Sequence, residues 1–179
     1  MKIAFLDRDG VINREVNYLY KIDDFEFTQN CIVGLKRLIK NGYQIIIVTN
    51  QAGIARGYYT EQDYEVLTTW YRSELLKQGI EILDIFYCPH HTEGSITEFA
   101  TGCSCRKPKT GMLDLAARKY KINMEESLLV GDKESDLLAG IKFGLTKVFM
   151  VETGHSISAR NYSIYNVVKD ISFVPLSPN

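Results

Sequence analysis

Two aspartates two positions apart, Asp7 and Asp9, close an apolar run near the start of the chain (KIAFLDRDG). A free Asp titrates near about 3.9, so at neutral pH it is an anion able to attack phosphorus without help from a base. The covalent intermediate that results needs a second carboxyl group. That group first protonates the leaving oxygen and later activates water. To act as an acid it must hold a proton, so its surroundings are expected to raise its pKa. Two acids with different roles on one short loop suit this chemistry.

Further polar clusters lie far off in the chain. Thr49-Asn50-Gln51 follow QIIIV, Arg106-Lys107-Pro108 precede a helical pattern, and Asp132-Lys133 with Asp136 follow SLLVG. Asp7, Asp9 and Asp132 would repel one another in one crevice and need a cation. Oxygen-only ligation favours Mg²⁺, which also tends to bind substrate phosphate. Lysine supplies positive charge to a phosphoryl group, and a Thr/Asn pair supplies donors. Phosphoryl transfer is the reaction class these residues suggest.

The cysteines form a second group. Cys88, Cys103 and Cys105 fall close together beside His90 and His91, while Cys31 sits apart in a helical pattern as a small core residue. In a cytoplasmic chain such clustering points to metal or catalysis rather than disulfides. Cys88-x-His90 and Cys103-x-Cys105 offer a closed Cys₃His zinc site. His91 is the rival ligand, but side chains two apart in an extended loop point the same way, which favours His90. His155 shows no partner and is read as a surface residue.

These residues need elements to place them. Strands are predicted at 2–6, 44–48, 83–87, 127–131 and 146–151, with one more near 171–175. Helices are predicted at 31–41 (capped by Asn30, ended by Gly42), about 60–78 (capped by Thr60), 111–120 and 133–143. The alternation implies a Rossmann-like three-layer α/β sandwich around a mainly parallel sheet, with the polar clusters at the carboxyl ends of its strands. The 179 residues suit one domain, 1–179. A net charge of −1 gives no reason to expect a nucleic-acid or membrane-surface partner. No apolar run approaches a membrane span, and the four-residue apolar start is not a signal peptide, so a cytoplasmic monomer is expected.

DRDGV (7–11), VTNQ (48–51), RKP (106–108) and GDKESD (131–136) resemble the four motifs of the haloacid dehalogenase superfamily of phosphatases, in the same order. The resemblance implies Asp7 as nucleophile, Asp9 as general acid/base, and Thr49 and Lys107 as holders of the phosphoryl group. It implies Mg²⁺ on Asp7, Asp132 and the backbone carbonyl of Asp9. Asp136 is left beside the metal, paired to Lys107. The short 88–105 segment leaves no room for a cap domain.

The CPHH…CxCRKP arrangement resembles a capless, zinc-bearing branch that holds the heptose 1,7-bisphosphate and the histidinol-phosphate phosphatases. There a structural zinc on Cys88, His90, Cys103 and Cys105 would position Arg106 and Lys107. The loop TNQAGIARG favours the heptose side. It brings Arg56 and no acid to meet a substrate amine. The resemblance then implies loss of the C7 phosphate from a sugar bisphosphate, in ADP- or GDP-heptose synthesis for lipopolysaccharide or surface glycan, with the β anomer as default. Substrate contacts are expected at Glu15, Val16, Asn17 and Tyr18, and at Asn50, Gln51, Arg56, Arg106 and Lys133. Histidinol phosphate and, further off, a polynucleotide 3′-phosphate are the alternative substrates.

Overall fold

Strand β1 (Ile3–Leu6) is apolar at every position and wholly buried. Successive side chains of a strand take opposite faces. Ala4 and Leu6 accordingly join one core layer with Leu35, Leu38, Leu67 and Leu75, while Ile3 and Phe5 join another with Leu113, Ala116 and Leu137. A strand buried on both faces belongs at the centre of a three-layer sandwich. In this computed structural model, which describes residues 1–176, β1 is that central strand. The last three positions of the expected 1–179 domain lie outside the described residues.

The other strands are β2 (Gln44–Asn50), β3 (Ile82–Cys88), β4 (Leu128–Gly131), β5 (Lys147–Val151) and β6 (Asn166–Val168). They lie in the order β3-β2-β1-β4-β5-β6, and every pairing is parallel. Helices α1 (Cys31–Lys40) and α3 (Glu61–Lys77) bury Leu35, Leu38, Leu67 and Leu75 on one face. Helices α4 (Gly111–Lys119) and α5 (Glu134–Phe143) bury Leu113, Ala116 and Leu137 on the other. The short helices α2 (Ala52–Ala55) and α6 (Ala159–Ile164) complete the set. From β1 the chain first builds outward through β2 and β3, then returns to build through β4. That reversal opens a crevice at the carboxyl ends of β1 and β4, where Asp7 and Asp132 emerge.

The helix signals held in part. Thr60 caps α3 in a reciprocal box with Asp63, and Gly42, at φ +80°, ends α1. Asn30 stands at the N-cap position of α1, but its side chain makes no capping hydrogen bond. It sits in the left-handed region at φ 58° and turns its amide to Asp170 Oδ2, 2.8 Å away. The strand expected near 171–175 is a 3₁₀ turn at Ile171–Phe173, because Asp170 accepts the Ser172 N–H and curls the chain. The sixth strand lies earlier, at β6, behind a helix α6 that the pattern did not reveal. Residues 10–28 form the expected flap, tied by Arg14 N–H to the Glu26 carbonyl and Thr28 N–H to the Ile12 carbonyl. No described helix is long and apolar enough to cross a membrane.

Candidate active site

Asp7 extends β1 by donating its N–H to the Val130 carbonyl of β4, 3.0 Å away. Its Oδ1 accepts the Arg8 N–H at 2.8 Å and lies 3.0 Å from Lys107 Nζ. Lys107 arrives on the loop before α4, and its Nζ also meets the Val48 carbonyl at 2.7 Å and Asp136 Oδ1 at 2.8 Å. Three partners engage every N–H of the ammonium. The Asn50 amide grips the Lys107 backbone from both sides, accepting its N–H at 3.0 Å and donating to its carbonyl at 3.1 Å. Asp136, in the first turn of α5, spends its other oxygen on the Lys133 N–H.

The carboxylates are crowded and dry. Burial pushes Asp7 well above the usual carboxylate range; Lys107 opposes this, and Asp136, Asp132 and Asp9 add to it. Burial and the Asp136 charge likewise raise Asp132. Lys107 is buried, which disfavours its charge, yet Asp136 and Asp7 hold its pKa above the lysine range. Asp132 Oδ1 is buried with no hydrogen-bond partner, a costly state for a carboxylate oxygen. Oxygens of Asp7, Asp132 and Asp136 lie within 4.8 Å of one another. An all-oxygen set with one oxygen orphaned fits Mg²⁺. Because both Asp136 oxygens are already used, Asp7 and Asp132 are the donors that fit best.

Asp9 is in the opposite state. Burial alone would raise its pKa, but the Arg8 guanidinium and hydrogen bonds from Asn13, Arg8 and Gln51 outweigh it and hold Asp9 below the usual range. Arg8 lies 2.9 Å from Asp9 Oδ1 and is almost wholly buried. The expectation of a raised Asp9 pKa is therefore corrected: the arginine between the two acids folds back on the second one. Gln51 bridges Asp9 Oδ2 at 3.1 Å and Thr49 Oγ1 at 2.8 Å, and Tyr59 holds Gln51 in turn. Thr49 thus accepts from Gln51 and keeps its own O–H proton for another acceptor.

A crevice of about 430 Å³ opens above these groups. Asp7, Asp9 and Lys107 line it together with Glu15, Asn17, Tyr18, Asn50, Gln51, Arg56, Arg106 and Lys133. His91 and His155 also face it. Beside it, Cys88 Sγ lies 2.8 Å from Cys105 Sγ and 3.5 Å from Cys103 Sγ. His90 Nδ1 lies 3.3 Å from Cys105 Sγ and 3.7 Å from Cys88 Sγ. Three sulfurs and one imidazole nitrogen on a common centre form a donor set that fits tetrahedral zinc. His91 turns the other way, with Nε2 at 3.5 Å from Arg56 Nη2. The loop is laced to α2 by Ile96 N–H to the Ala55 carbonyl and Ser95 Oγ to the Arg56 carbonyl, both at 2.9 Å.

Residues 2–164 match the family described as Polynucleotide kinase 3 phosphatase. A D-glycero-alpha-D-manno-heptose-1,7-bisphosphate 7-phosphatase of Photorhabdus laumondii is 58% identical over 158 residues, 88% of this chain and 86% of that one. The D-glycero-beta-D-manno-heptose-1,7-bisphosphate 7-phosphatase of Escherichia coli K12 is 44% identical over 155 residues, 86% of this chain and 81% of the other. The chain belongs to the heptose 1,7-bisphosphate phosphatase family. Among solved structures, a D,D-heptose 1,7-bisphosphate phosphatase from B. bronchiseptica, complexed with magnesium and phosphate, matches with a TM-score of 0.80 at 28% identity, over 96% of this chain and 94% of that one.

In this heptose phosphatase family member three sequence expectations change. Val16 packs against the apolar core rather than lining the crevice. Asn50 and Gln51 reach the crevice but use their amides to hold Lys107, Thr49 and Asp9. His155 is not an unpartnered surface residue: its Nδ1 lies 2.6 Å from Asp132 Oδ2. Arg8, Asn13 and Tyr59 are site residues that sequence reasoning passed over, and His91, weighed there only as a rival zinc ligand, lines the crevice instead. Only Arg8 carried a visible signal, its place between the two acids.

Proposed function

We propose that this phosphatase removes the C7 phosphate of D-glycero-D-manno-heptose 1,7-bisphosphate and leaves the 1-phosphate. The observation that carries the reading is one crevice that holds Asp7 and Lys107, in contact with each other, and a second cationic group, Arg56 and Arg106, with Thr49 buried just beneath and tied to the crevice through Gln51. A bisphosphate suits both. Histidinol phosphate would bring its ammonium to two arginines.

Asp7 attacks phosphorus, the P–O bond to C7 breaks, and an aspartyl-phosphate forms. Asp9 gives its proton to the departing oxygen, then takes one from the water that hydrolyses the acyl phosphate, which restores both acids. Asp9 must be protonated for the first step, although Arg8 and the hydrogen bonds around it hold it below the usual range. A bound phosphate dianion beside it raises its pKa. Lys107 acts on the phosphoryl oxygens as a point charge, since its N–H groups are already engaged. The Thr49 hydroxyl donates directly. Asp7, Asp132 and the Asp9 carbonyl would hold Mg²⁺, which would supply the charge that lets a phosphate dianion approach these carboxylates. Cys88, His90, Cys103 and Cys105 would hold a structural zinc, since four protein ligands would leave no open position. The proposed setting is the reducing cytoplasm, where thiolates stay available to zinc, with the chain acting as a monomer in heptose activation for surface glycan.

The test is a kcat/KM panel of both heptose 1,7-bisphosphate anomers, histidinol phosphate and a 3′-phosphorylated oligonucleotide. Heptose bisphosphate is expected to lead by at least about a hundredfold, well within the roughly 10⁴-fold by which a site built to hydrogen-bond a substrate can reject an analogue lacking those groups. Preference for histidinol phosphate or the oligonucleotide would overturn the reading. The β anomer is the expected substrate, as in the name of the E. coli relative. The α anomer is the second reading, because the P. laumondii relative carries that name.

A further inference from the structure

Thr153, Gly154 and His155 follow β5 and fold back over the carboxylate at the end of β4. Thr153 Oγ1 donates to the Gly10 carbonyl at 2.7 Å, which joins this turn to the loop that carries Asp7 and Asp9. His155 then donates twice to one oxygen. Its backbone N–H reaches Asp132 Oδ2 at 2.9 Å and its ring Nδ1 reaches the same atom at 2.6 Å. A carboxylate oxygen only accepts, so the ring proton lies on Nδ1. A Cβ at either Gly10 or Gly154 would run into Asp132 Oδ2, so the turn closes this tightly only with glycine at both places. All of the holding falls on Oδ2, and Oδ1 is left buried and without a partner.

We propose that His155 is a positioning residue for Asp132: by pinning Oδ2 it fixes the rotation of the carboxylate so that Oδ1 faces the cation shared with Asp7. The proposal rests on the reading of Asp7 and Asp132 as the Mg²⁺ pair. The terminal torsion of an aspartate is broad and two-fold, so an unheld carboxylate would spend part of its time with its lone pairs elsewhere. Two donors on one oxygen remove that freedom before the metal arrives. Partners behind a metal ligand set affinity in this way, and their loss typically weakens binding 10- to 100-fold. The His155 side chain is 39% exposed, so its replacement opens no core cavity.

The experiment is Mg²⁺ titration of the zinc-replete full chain by calorimetry, without substrate. His155→Phe keeps a ring and loses the ring donor, and His155→Ala is a second variant free of the side-chain donor; the backbone N–H to Asp132 Oδ2 stays in both. His155→Asn keeps an N–H near the position of Nδ1. Asp132→Asn is the control for the metal reading. Both variants without the side-chain donor are expected to bind Mg²⁺ about 10- to 100-fold more weakly, with His155→Asn recovering most of the loss and zinc content and melting temperature unchanged. Wild-type Mg²⁺ affinity in His155→Phe and His155→Ala would overturn the proposal, as would an equal loss in His155→Asn. Wild-type affinity in Asp132→Asn would overturn the metal reading itself and so separates the two failures.

Discussion

Lys107 Nζ stands 2.8 Å from Asp136 Oδ1, and both side chains are 2% exposed. The pair is a buried strut: Asp136 anchors the ammonium from α5 while the ammonium leans on Asp7. Removing one partner of a buried pair leaves the other charge uncompensated. Asp136→Ala is therefore expected to lower unfolding free energy by about 3 kcal/mol in urea melts and to reduce kcat by displacing Lys107. Unchanged stability would show that Asp7 and the Val48 carbonyl satisfy Lys107 alone.

Asp7→Asn removes the proposed nucleophile and keeps the shape. Turnover of any phosphomonoester is expected to fall by at least about a thousandfold, as when other nucleophiles are deleted, with an unchanged circular dichroism spectrum. Substantial residual kcat would mean that water, not Asp7, attacks phosphorus.

EDTA dialysis should stop turnover, and added Mg²⁺ should restore it. Metal analysis should return about one zinc per chain. Cys103→Ala is expected to lose that zinc, lower the melting temperature and raise KM more than it lowers kcat, since Arg56 and Arg106 hang on the loop. A variant that keeps zinc and stability would remove Cys103 from the ligand set.

Asp170 gives a pH prediction away from the catalytic centre. Burial would raise its pKa, but hydrogen bonds from Ser172 and Asn30 outweigh it and hold Asp170 below the usual range. A depressed folded pKa adds stability above the unfolded value of about 3.9, lost as pH falls through the folded value. Asp170→Asn should thus melt earlier than wild type at pH 6–7, by about 1–2 kcal/mol, and the gap should close below about pH 4. A gap independent of pH would assign the effect to shape rather than charge.

The layout of the sheet was legible because the chemistry demands acids and donors at strand ends, and apolar runs such as QIIIV can only be buried strands. The gathering of Cys88, His90, Cys103 and Cys105 into one cluster was legible for the same local reason, a two-residue spacing within each pair. What escaped depends on distant packing. His155 meets Asp132 only because the turns after β4 and β5 stack on each other, and nothing near residue 155 announces it. Val16 was assigned by its neighbours in the flap, and its apolar side chain followed the core instead. The electrostatic state of Asp9 was misjudged because an arginine beside an acid in sequence can point anywhere until the fold places it.

The zinc loop springs from β3, which lies at the edge of the sheet, whereas Asp7 and Asp132 stand on the central strands β1 and β4. The two parts meet at Lys107, which follows Arg106 at the end of the loop and is anchored to Asp7, Asp136 and the Val48 carbonyl. Lengthening or shortening the stretch between His90 and Cys103 would move Arg106 and the neighbours of Arg56 without touching a central strand. A graft of this one loop could retune which second charged group a phosphate ester must carry, and so turn one hydrolase scaffold toward other metabolites.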